Sequence, residues 1–382
     1  MFASLLGTRL TLYIGPVIAV PAPESMMEAL SSVEVTQNSE GRDGFQITFT
    51  MGRGPLDIVD YQLLLNPLIR PFNRVVIQVW LGVQPEVLID GFITNYQISP
   101  SNEPGASTLT VTGEDVRVMM DLYQFTIPYP MMTPEMRVAI ILAKYIQYLA
   151  MPPVIWPSPF PDPPLPTDSP PTQSGTDYNY LMALAGEASY VFYIEPTPVP
   201  MVNLAYWGME NRLSLPQPAL TVNMGQATNV NQINFSYNAL GPQLTLGLMV
   251  EKNTSATIPI ATFMALHPPL AAIPALVAQL PYVRTMLPSE TGDRNPMEAY
   301  ARAQAETNRS ADAITATGEL DTARYGHVLK ARRSVGVRGA GYLMDGFWFV
   351  KRVTHSIKKG SYTQSFSLAR DGFGSLTPIV MP

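Results

Sequence analysis

The sequence has 382 residues, no cysteine, a net charge of −6 and only 14% charged residues. This length predicts two or three domains, and the missing cysteines exclude disulfides and thiolate metal sites. The negative net charge gives no general attraction to nucleic acid or anionic lipid. So few charged residues favour an obligate assembly, because such interfaces are depleted in charge. A β-rich domain from an unusual proteome is the alternative.

The first apolar segment, residues 10–23, could be mistaken for a signal peptide. It follows Arg9, alternates between apolar and polar residues and is interrupted by Pro16, so we predict a strand or docking arm. A second apolar stretch at 258–287 contains five prolines, which exclude a regular spanning helix. We therefore expect no membrane insertion.

Alternating residues predict a hairpin at 33–49 and strands at 74–82 and 86–99. The last of these strands carries the tripeptide formed by Asp90, Gly91 and Phe92. A glycine inside a strand marks a bulge or a close backbone approach, and the preceding aspartate can hydrogen-bond the exposed backbone. We interpret this tripeptide as a folding device.

The middle of the chain is more helical. A short helix is predicted at 115–123 and a capped helix at 133–149. The proline-rich segment 151–171 predicts an extended linker at a domain boundary. A helix at 177–188 followed by a strand at 190–194 predicts a small α/β unit.

The tripeptide recurs near the C-terminus as Asp345, Gly346 and Phe347, followed by an alternating run at 364–368. Upstream of it, residues 233–246 resemble the hairpin of the first third. The same order of strands at both ends of the chain predicts an internal duplication. A catalytic role for the aspartates is disfavoured, because both copies would need the same chemistry in different surroundings.

Between these segments we expect a large insertion, with a capped helix at about 295–308 and a returning strand at 311–320. The whole pattern predicts an α+β, mainly β fold of two antiparallel β-barrel modules separated by a small α/β unit. The predicted domains are 1–125 with the N-terminal arm and first barrel, 126–218 with the helical and α/β elements, and 219–382 with the second barrel and an insertion at about 251–325.

The search for catalytic motifs predicts no catalytic, cofactor-binding or metal-binding residue. The three histidines are widely separated, and no nucleophile elbow or Walker loop occurs. The glycine-rich segment 336–341 precedes a strand, so we interpret it as a hairpin turn. Basic clusters at 332–333 and 351–352 are interpreted as solvated faces or partner contacts. A glycosidase carboxylate pair cannot be recognised from spacing, so an enzyme acting on peptidoglycan or glycans is the alternative function.

The segments 341–370 and 180–194 resemble the late control protein D family, the central hubs of phage tail baseplates and contractile injection systems. The resemblance implies a homotrimer in which each subunit carries two tail-tube-like β-barrels. Three subunits would then present six barrels in a ring, which adapts a sixfold tail tube to a threefold spike. It implies a structural protein rather than an enzyme, with no cofactor.

The partners that the resemblance implies are further copies of this chain, a tail tube protein, a spike protein and other baseplate proteins. We expect assembly in the cytoplasm and a place in a phage virion tail or injection particle. Because the chain ends directly after the second module, we expect spike and hydrolase to be separate chains. A membrane β-barrel or adhesin is disfavoured by the internal helices and the few regular strands.

Overall fold

The computed structural model describes residues 8–52, 61, 63–103, 105–158, 170–250, 256–287 and 296–377, and the fold is mainly β with additional helices. The strands within these ranges are β1 (Thr8–Gly15), β2 (Val20–Pro21), β3 (Leu30–Asn38), β4 (Gly44–Met51), β5 (Arg74–Leu81), β6 (Gln84–Ser99), β7 (Ser107–Asp115), β8 (Gln124–Pro128), β9 (Val154–Ile155), β10 (Thr172–Thr176), β11 (Val191–Pro196), β12 (Asn203–Gly208), β13 (Gln217–Thr221), β14 (Val230–Tyr237), β15 (Gln243–Val250), β16 (Thr257–Ala261), β17 (Ile273–Pro274), β18 (Arg284–Met286), β19 (Ile314–Asp321), β20 (Ser334–Arg338), β21 (Gly346–Lys358), β22 (Ser361–Arg370) and β23 (Gly372–Phe373).

The helices are few and short, and most of them lie in the middle and last thirds of the chain. Within the same ranges they are α1 (Glu24–Ala29), α2 (Pro134–Ala143), α3 (Ile146–Leu149), α4 (Asp177–Glu187), α5 (Ala275–Ala278), α6 (Pro296–Ser310) and α7 (Thr322–Tyr325), with 3-10 helices at Val116–Met120 and Gly225–Ala227.

One 13-stranded sheet is formed by strands from residues 8–115 and 217–370. Its strands follow the order β14-β19-β22-β21-β3-β4-β7-β6-β5-β1-β2, with β20 beside β21 and β13 beside β20. At its centre β21 and β3 pair antiparallel, from Arg352 opposite Asn38 to Lys358 opposite Ser32. In the described residues the strand path is open, so no closed barrel is formed within one chain.

The three largest apolar cores in the described residues stabilise the main sheet and the middle section of the chain. The first lies under β1 and β3–β7 and includes Phe45, Ile47 and Phe49, whose period-two spacing places them on one face of β4. The second surrounds Trp207 between α2, α4, β11 and β12, and the third surrounds Trp348 under the second half of the sheet. Each fully buried large apolar side chain contributes about 1.5–3 kcal/mol.

The predicted hairpin at 233–246 is wrong. β14 pairs instead with β19, with Tyr237 opposite Ile314, whereas β15 pairs with β16 and β18 in a separate sheet. Alternation predicts that a segment is a strand but not which strand it pairs with, and lengthening a loop adds little closure entropy. Residues 314–321, part of the predicted insertion, therefore lie in the main sheet.

Local elements follow the predictions with some breaks. The predicted helix at 133–149 ends at Ala143 and resumes at Ile146, because Lys144 and Tyr145 donate backbone bonds only three residues back and their side chains both contact the Asp177 carboxylate. The predicted helix at 115–123 is a five-residue 3-10 helix. Residues 159–169 of the predicted linker lie outside the described residues. The predicted strands at 190–194 and 311–320 and the helix at 177–188 are confirmed.

Candidate functional site

The first tripeptide joins the sheet to the small α/β unit. Asp90 on β6 receives two hydrogen bonds from the guanidinium of Arg74 on β5, at 2.8 and 2.6 Å, and a third from the amide of Asn203 at 2.9 Å. Arg74 also donates to the backbone carbonyl of Tyr148 at 3.3 Å. Both charged side chains are buried, so this aspartate holds two parts of the fold together and has no access to a substrate.

Gly91 and Phe92 also have roles in packing rather than in chemistry. A Cβ on Gly91 would lie 2.1 Å from the backbone carbonyl oxygen of Glu114 on β7, so only glycine permits the two strands to approach this closely. Phe92 is buried and packs edge-on against Tyr148, with ring centroids 5.3 Å apart. The first tripeptide thus combines a charge pair, a close backbone approach and a core aromatic ring.

The second tripeptide has a different structural role. Asp345 accepts a hydrogen bond from the backbone N–H of Ala340 at 2.8 Å and closes the turn before β21. Gly346 has a φ of +116°, a conformation that side-chain-bearing residues rarely adopt. Phe347 is only partly buried. The glycines are therefore required for two distinct physical reasons.

The strand pairings show that the two tripeptides do not occupy equivalent positions in their strands. β6 carries one extra residue, Thr94, against β7, and β21 carries one extra residue, Lys351, against β22. When the strands are aligned by these bulges, Phe92 corresponds to Phe349 rather than to Phe347. The repeated sequence and the repeated strand geometry are displaced by two residues, which keeps the same face of the strand.

A buried charge cluster is formed by Asp43, Asp115, Arg117 and Arg332. Arg117 binds Asp115 with a shortest contact of 2.6 Å and lies 3.8 Å from Asp43, while Arg332 donates to Asp43 and stacks on Tyr193 at 4.7 Å. Burial opposes ionisation of Asp115, but the charge and hydrogen bonds of Arg117 outweigh it and lower the pKa of Asp115. This cluster joins the first half of the sheet, the α/β unit and the second half.

The sequence interpretation of the basic pairs is thereby corrected for two residues. Arg332 is buried in the cluster just described, and Lys351 binds Glu210 at 2.7 Å rather than lying in solvent. The bulge explains the position of Lys351, because an extra residue re-aims the side chain. Sequence patterns missed these sites because the acidic partners are far away along the chain.

A cavity of about 330 Å³ lies beside a second charge network. Arg212 binds Asp312 at 2.9 and 2.7 Å and Glu210 at 2.7 Å. His267 lines this cavity, and neither of its ring nitrogens has a hydrogen bond in the described residues. Burial together with the charge of Arg212 lowers the pKa of His267. The carboxylates here are neutralised by neighbouring cations, which is typical of a structural network.

The described ranges contain no group of three or more histidine or acidic side chains able to hold a metal ion. None of the helices in those ranges has the length and apolar character needed to span a bilayer.

The outer surface carries many large apolar side chains, concentrated in the segment between β14 and β19. Leu246, Leu248 and Val250 share the outer face of β15, while Met249 points to the opposite face and packs near α6. Further exposed apolar residues in this segment are Phe263, Met264, Val277, Leu280, Tyr282 and Leu287.

The sequence matches no protein-family profile and no curated protein. Its fold is similar to that of a tail protein from Neisseria meningitidis MC58, with a TM-score of 0.63 and 14% identity over 96% of this chain and 98% of that one. It is also similar to the 43 kDa tail protein of prophage MuSo2 from Shewanella oneidensis, with a TM-score of 0.60 and 14% identity over 95% and 98% of the two chains.

A third similar structure is the E. coli c3393 protein, described as a component of the type VI secretion system with structural similarity to T4 bacteriophage tail proteins gp27 and gp5. Its TM-score is 0.56 and its identity 12%, over 92% of this chain and 77% of that one. The predicted resemblance to phage tail and baseplate proteins is therefore confirmed at the level of fold: this chain has the fold of phage tail proteins and of a type VI secretion component.

Proposed function

We propose that this protein is the central hub of a baseplate, a homotrimeric ring that adapts a sixfold tail tube to a threefold spike. The observation that carries the proposal is a repeated strand order. In the first half of the sheet the order is β3-β4-β7-β6-β5, and in the second half it is β14-β19-β22-β21-β20. Taken in chain order, the five strands of each half occupy the same places.

The irregularities of the two halves agree as well. Ser31 is the extra residue in β3 against β4, and Asn231 is the extra residue in β14 against β19. Thr94 and Lys351 are the corresponding extra residues in β6 and β21. Bulges are specific features of a fold rather than random defects, so their agreement supports an internal duplication better than the tripeptides do.

A duplicated module would allow a threefold ring to contact both a sixfold tube and a threefold spike. Two similar faces on each subunit turn a threefold ring into a pseudo-sixfold one, which a tail tube can match on one side and a spike on the other. On this proposal the two tail-tube-like modules close into barrels only within the ring. The boundaries 1–125, 126–218 and 219–382 serve as domain limits, and the insertion is redrawn as 238–313, between β14 and β19.

The proposed setting is a phage tail or a contractile injection particle, assembled in the cytoplasm from this chain, a tube protein, a spike protein and other baseplate proteins. The similar folds of tail proteins and of a type VI secretion component support this setting. A structural rather than enzymatic role is favoured because Glu210 and Asp312 beside the cavity are ion-paired.

The test is the mass of the purified chain in solution by light scattering, with negative-stain class averages of the same peak. We expect about three times 41.9 kDa and pseudo-sixfold rings. A monomer at all concentrations would contradict the hub. Hydrolysis assays on peptidoglycan would then test the alternative of an enzyme.

A further inference from the structure

The seam between the two halves of the sheet is an interface formed within one chain. Along it Val353 is opposite Gln37, Thr354 opposite Thr36 and His355 opposite Val35. On one face of this seam the side chains of Val353, His355, Val35 and Gln37 are buried, and Val353 is 0% exposed. The hydroxyl oxygens of Thr36 and Thr354 lie 3.1 Å apart across it.

The duplicated pairings identify what corresponds to each side of this seam. β14 and β3 share the same bulge next to their first residue, so Ser236 corresponds to Thr36 and Tyr237 to Gln37. β6 has a bulge against β7, and β21 has the equivalent bulge against β22. Tyr96 therefore corresponds to Val353 and Gln97 to Thr354. Each side of the seam thus has a counterpart elsewhere in the sheet.

Both counterparts are free strand edges among the described residues. β5 begins at Arg74, opposite Phe92, so residues 94–99 of β6 have β7 as a neighbour on one side and no strand on the other. β14 has β19 on one side only. Tyr96 is 43% exposed and Tyr237 is 40% exposed, whereas their counterparts at the seam are buried.

Neither edge carries the features that prevent pairing with another chain. Residues 94–99 read Thr-Asn-Tyr-Gln-Ile-Ser, and β14 reads Val-Asn-Gln-Ile-Asn-Phe-Ser-Tyr. Soluble proteins protect long exposed edges with lysine, proline or inward charges, and these two segments contain no charged residue and no proline. Unprotected edges of this composition favour pairing through backbone hydrogen bonds.

We propose that residues 94–99 of one subunit pair antiparallel with β14 of a second copy of this chain, in the register of the internal seam. In that register Tyr96 lies opposite the neighbour's Tyr237, Gln97 opposite Ser236 and Ile98 opposite Phe235. The seam within the chain and the contact between chains become two versions of one interface. The number of copies in the ring rests on the function proposed above, but the pairing and its register do not.

A second copy is the favoured partner because the two edges are complementary to each other and not to themselves. One edge corresponds to the β21 side of the seam and the other to the β3 side. Such a head-to-tail contact leaves one of each edge free on every dimer, so addition continues until the ring closes. Closure also removes both exposed edges, which no contact within a single chain does in the described residues.

Disulfide trapping tests the register directly, because the chain has no native cysteine. Directly opposite residues in an antiparallel pair have Cα atoms about 4.5–5.5 Å apart, within disulfide range. The variant Gln97→Cys with Ser236→Cys should oxidise to a covalent ring of about three chain masses on a non-reducing gel. The variant Gln97→Cys with Asn234→Cys is two residues out of register and should remain mostly monomeric on that gel.

The outcomes separate this inference from the hub itself. Trimers in light scattering with no preferred disulfide in the Ser236 variant would overturn the pairing and leave the hub standing. A monomer with no disulfide in either variant would overturn both. Disulfides of equal yield in both variants would overturn the register.

A charge test with intact backbones provides a second readout. Like charges directly opposite each other destabilise a strand pair, so Gln97→Lys with Ser236→Lys should abolish the trimer peak at moderate salt. Gln97→Lys with Ser236→Glu should restore it. All of these side chains are exposed in the single subunit, so the variants should keep the circular dichroism spectrum of the parent. Identical oligomers from both charge variants would contradict the pairing.

Discussion

Arg332 and Arg333 are adjacent in sequence but lie in opposite environments. Arg332 is buried, where it donates to Asp43 and stacks on Tyr193. Arg333 is half-exposed and pairs with Glu195 at 2.8 Å. The positive φ of 64° at Arg332 turns the chain here and directs the two side chains apart. This pair offers a matched test of the buried cluster.

The variant Arg332→Gln leaves the buried carboxylate of Asp43 without its main counter-charge, and we expect a loss of about 3–5 kcal/mol in the free energy of unfolding. The control Arg333→Gln removes a solvent-screened pair and should lose no more than about 1 kcal/mol. Urea unfolding monitored by tryptophan fluorescence measures both. Equal losses would show that the buried cluster does not hold the halves together.

Asp90 and Asp345 share a sequence context but not a role. Asp90→Asn leaves the buried guanidinium of Arg74 without its counter-charge, and we expect a loss of about 3–5 kcal/mol. Asp345→Asn keeps an oxygen that can accept the Ala340 N–H, so the expected loss is about 1 kcal/mol or less. Chemical denaturation of both variants under the same conditions measures the loss in the free energy of unfolding. A larger loss for Asp345→Asn than for Asp90→Asn would contradict the assigned contacts.

Gly91 is required by a close contact between strands. The variant Gly91→Ala should lose about 3 kcal/mol, because its Cβ cannot avoid the carbonyl oxygen of Glu114 without moving a strand. The control Gly44→Ala places a Cβ at 3.5 Å from its nearest neighbour, which is ordinary contact, and should fold normally.

Gly346→Ala should lose about 1–3 kcal/mol, because it strains the backbone conformation and its Cβ would crowd Ser375. Replacing either Gly91 or Gly346 with valine should also prevent assembly of the ring. Soluble oligomers of parental size from both valine variants would contradict this prediction, and size-exclusion chromatography is the measurement.

His355 gives the protein a specific loss of stability in acid. Burial, aided by the charge of Lys330, lowers the pKa of His355 from 6.5 to about 3, while its Nδ1 receives contacts from Tyr362 at 2.9 Å and Gln364 at 3.1 Å. Its contribution is fully present above pH 6.5 and is lost as the pH falls toward 3, because the unfolded chain binds the proton first.

The expected loss from this histidine is about 2 kcal/mol between pH 7.5 and pH 5. The variant His355→Gln lacks the titrating ring and should show a correspondingly shallower decline over that interval, even if it is less stable at pH 7.5. Unfolding free energies of both proteins at the two pH values provide the measurement. Parallel declines would show that other groups cause the acid sensitivity.

The sequence predicted the individual elements well where a period is strong. β6 and α4 were predicted within two residues of their bounds, because alternation and helical spacing are local properties. The helix predicted at 133–149 is interrupted at Lys144 and Tyr145, whose side chains both contact Asp177 on another segment. No local pattern reports such a contact.

The internal duplication predicted from the sequence illustrates the same limit. The tripeptides at Asp90 and Asp345 predict a repeat, yet the strand pairings displace them by two residues from equivalent positions. The neighbour of β14 in the sheet is β19, which follows the insertion at 238–313 and is therefore distant in sequence. The free edges at Tyr96 and Tyr237 became visible only when their neighbours were known.

The sequence by itself determined that the chain is a mainly β protein with a helical middle section, few charges and a repeated strand pattern. These properties follow from side-chain periodicity and composition, which act over a few residues. Only the tertiary structure decided that Asp43 binds Arg332, that β21 joins β3 and which strand edges stay free. Such contacts join residues hundreds of positions apart, and they are chosen by the free energy of the whole packed sheet rather than by any local signal.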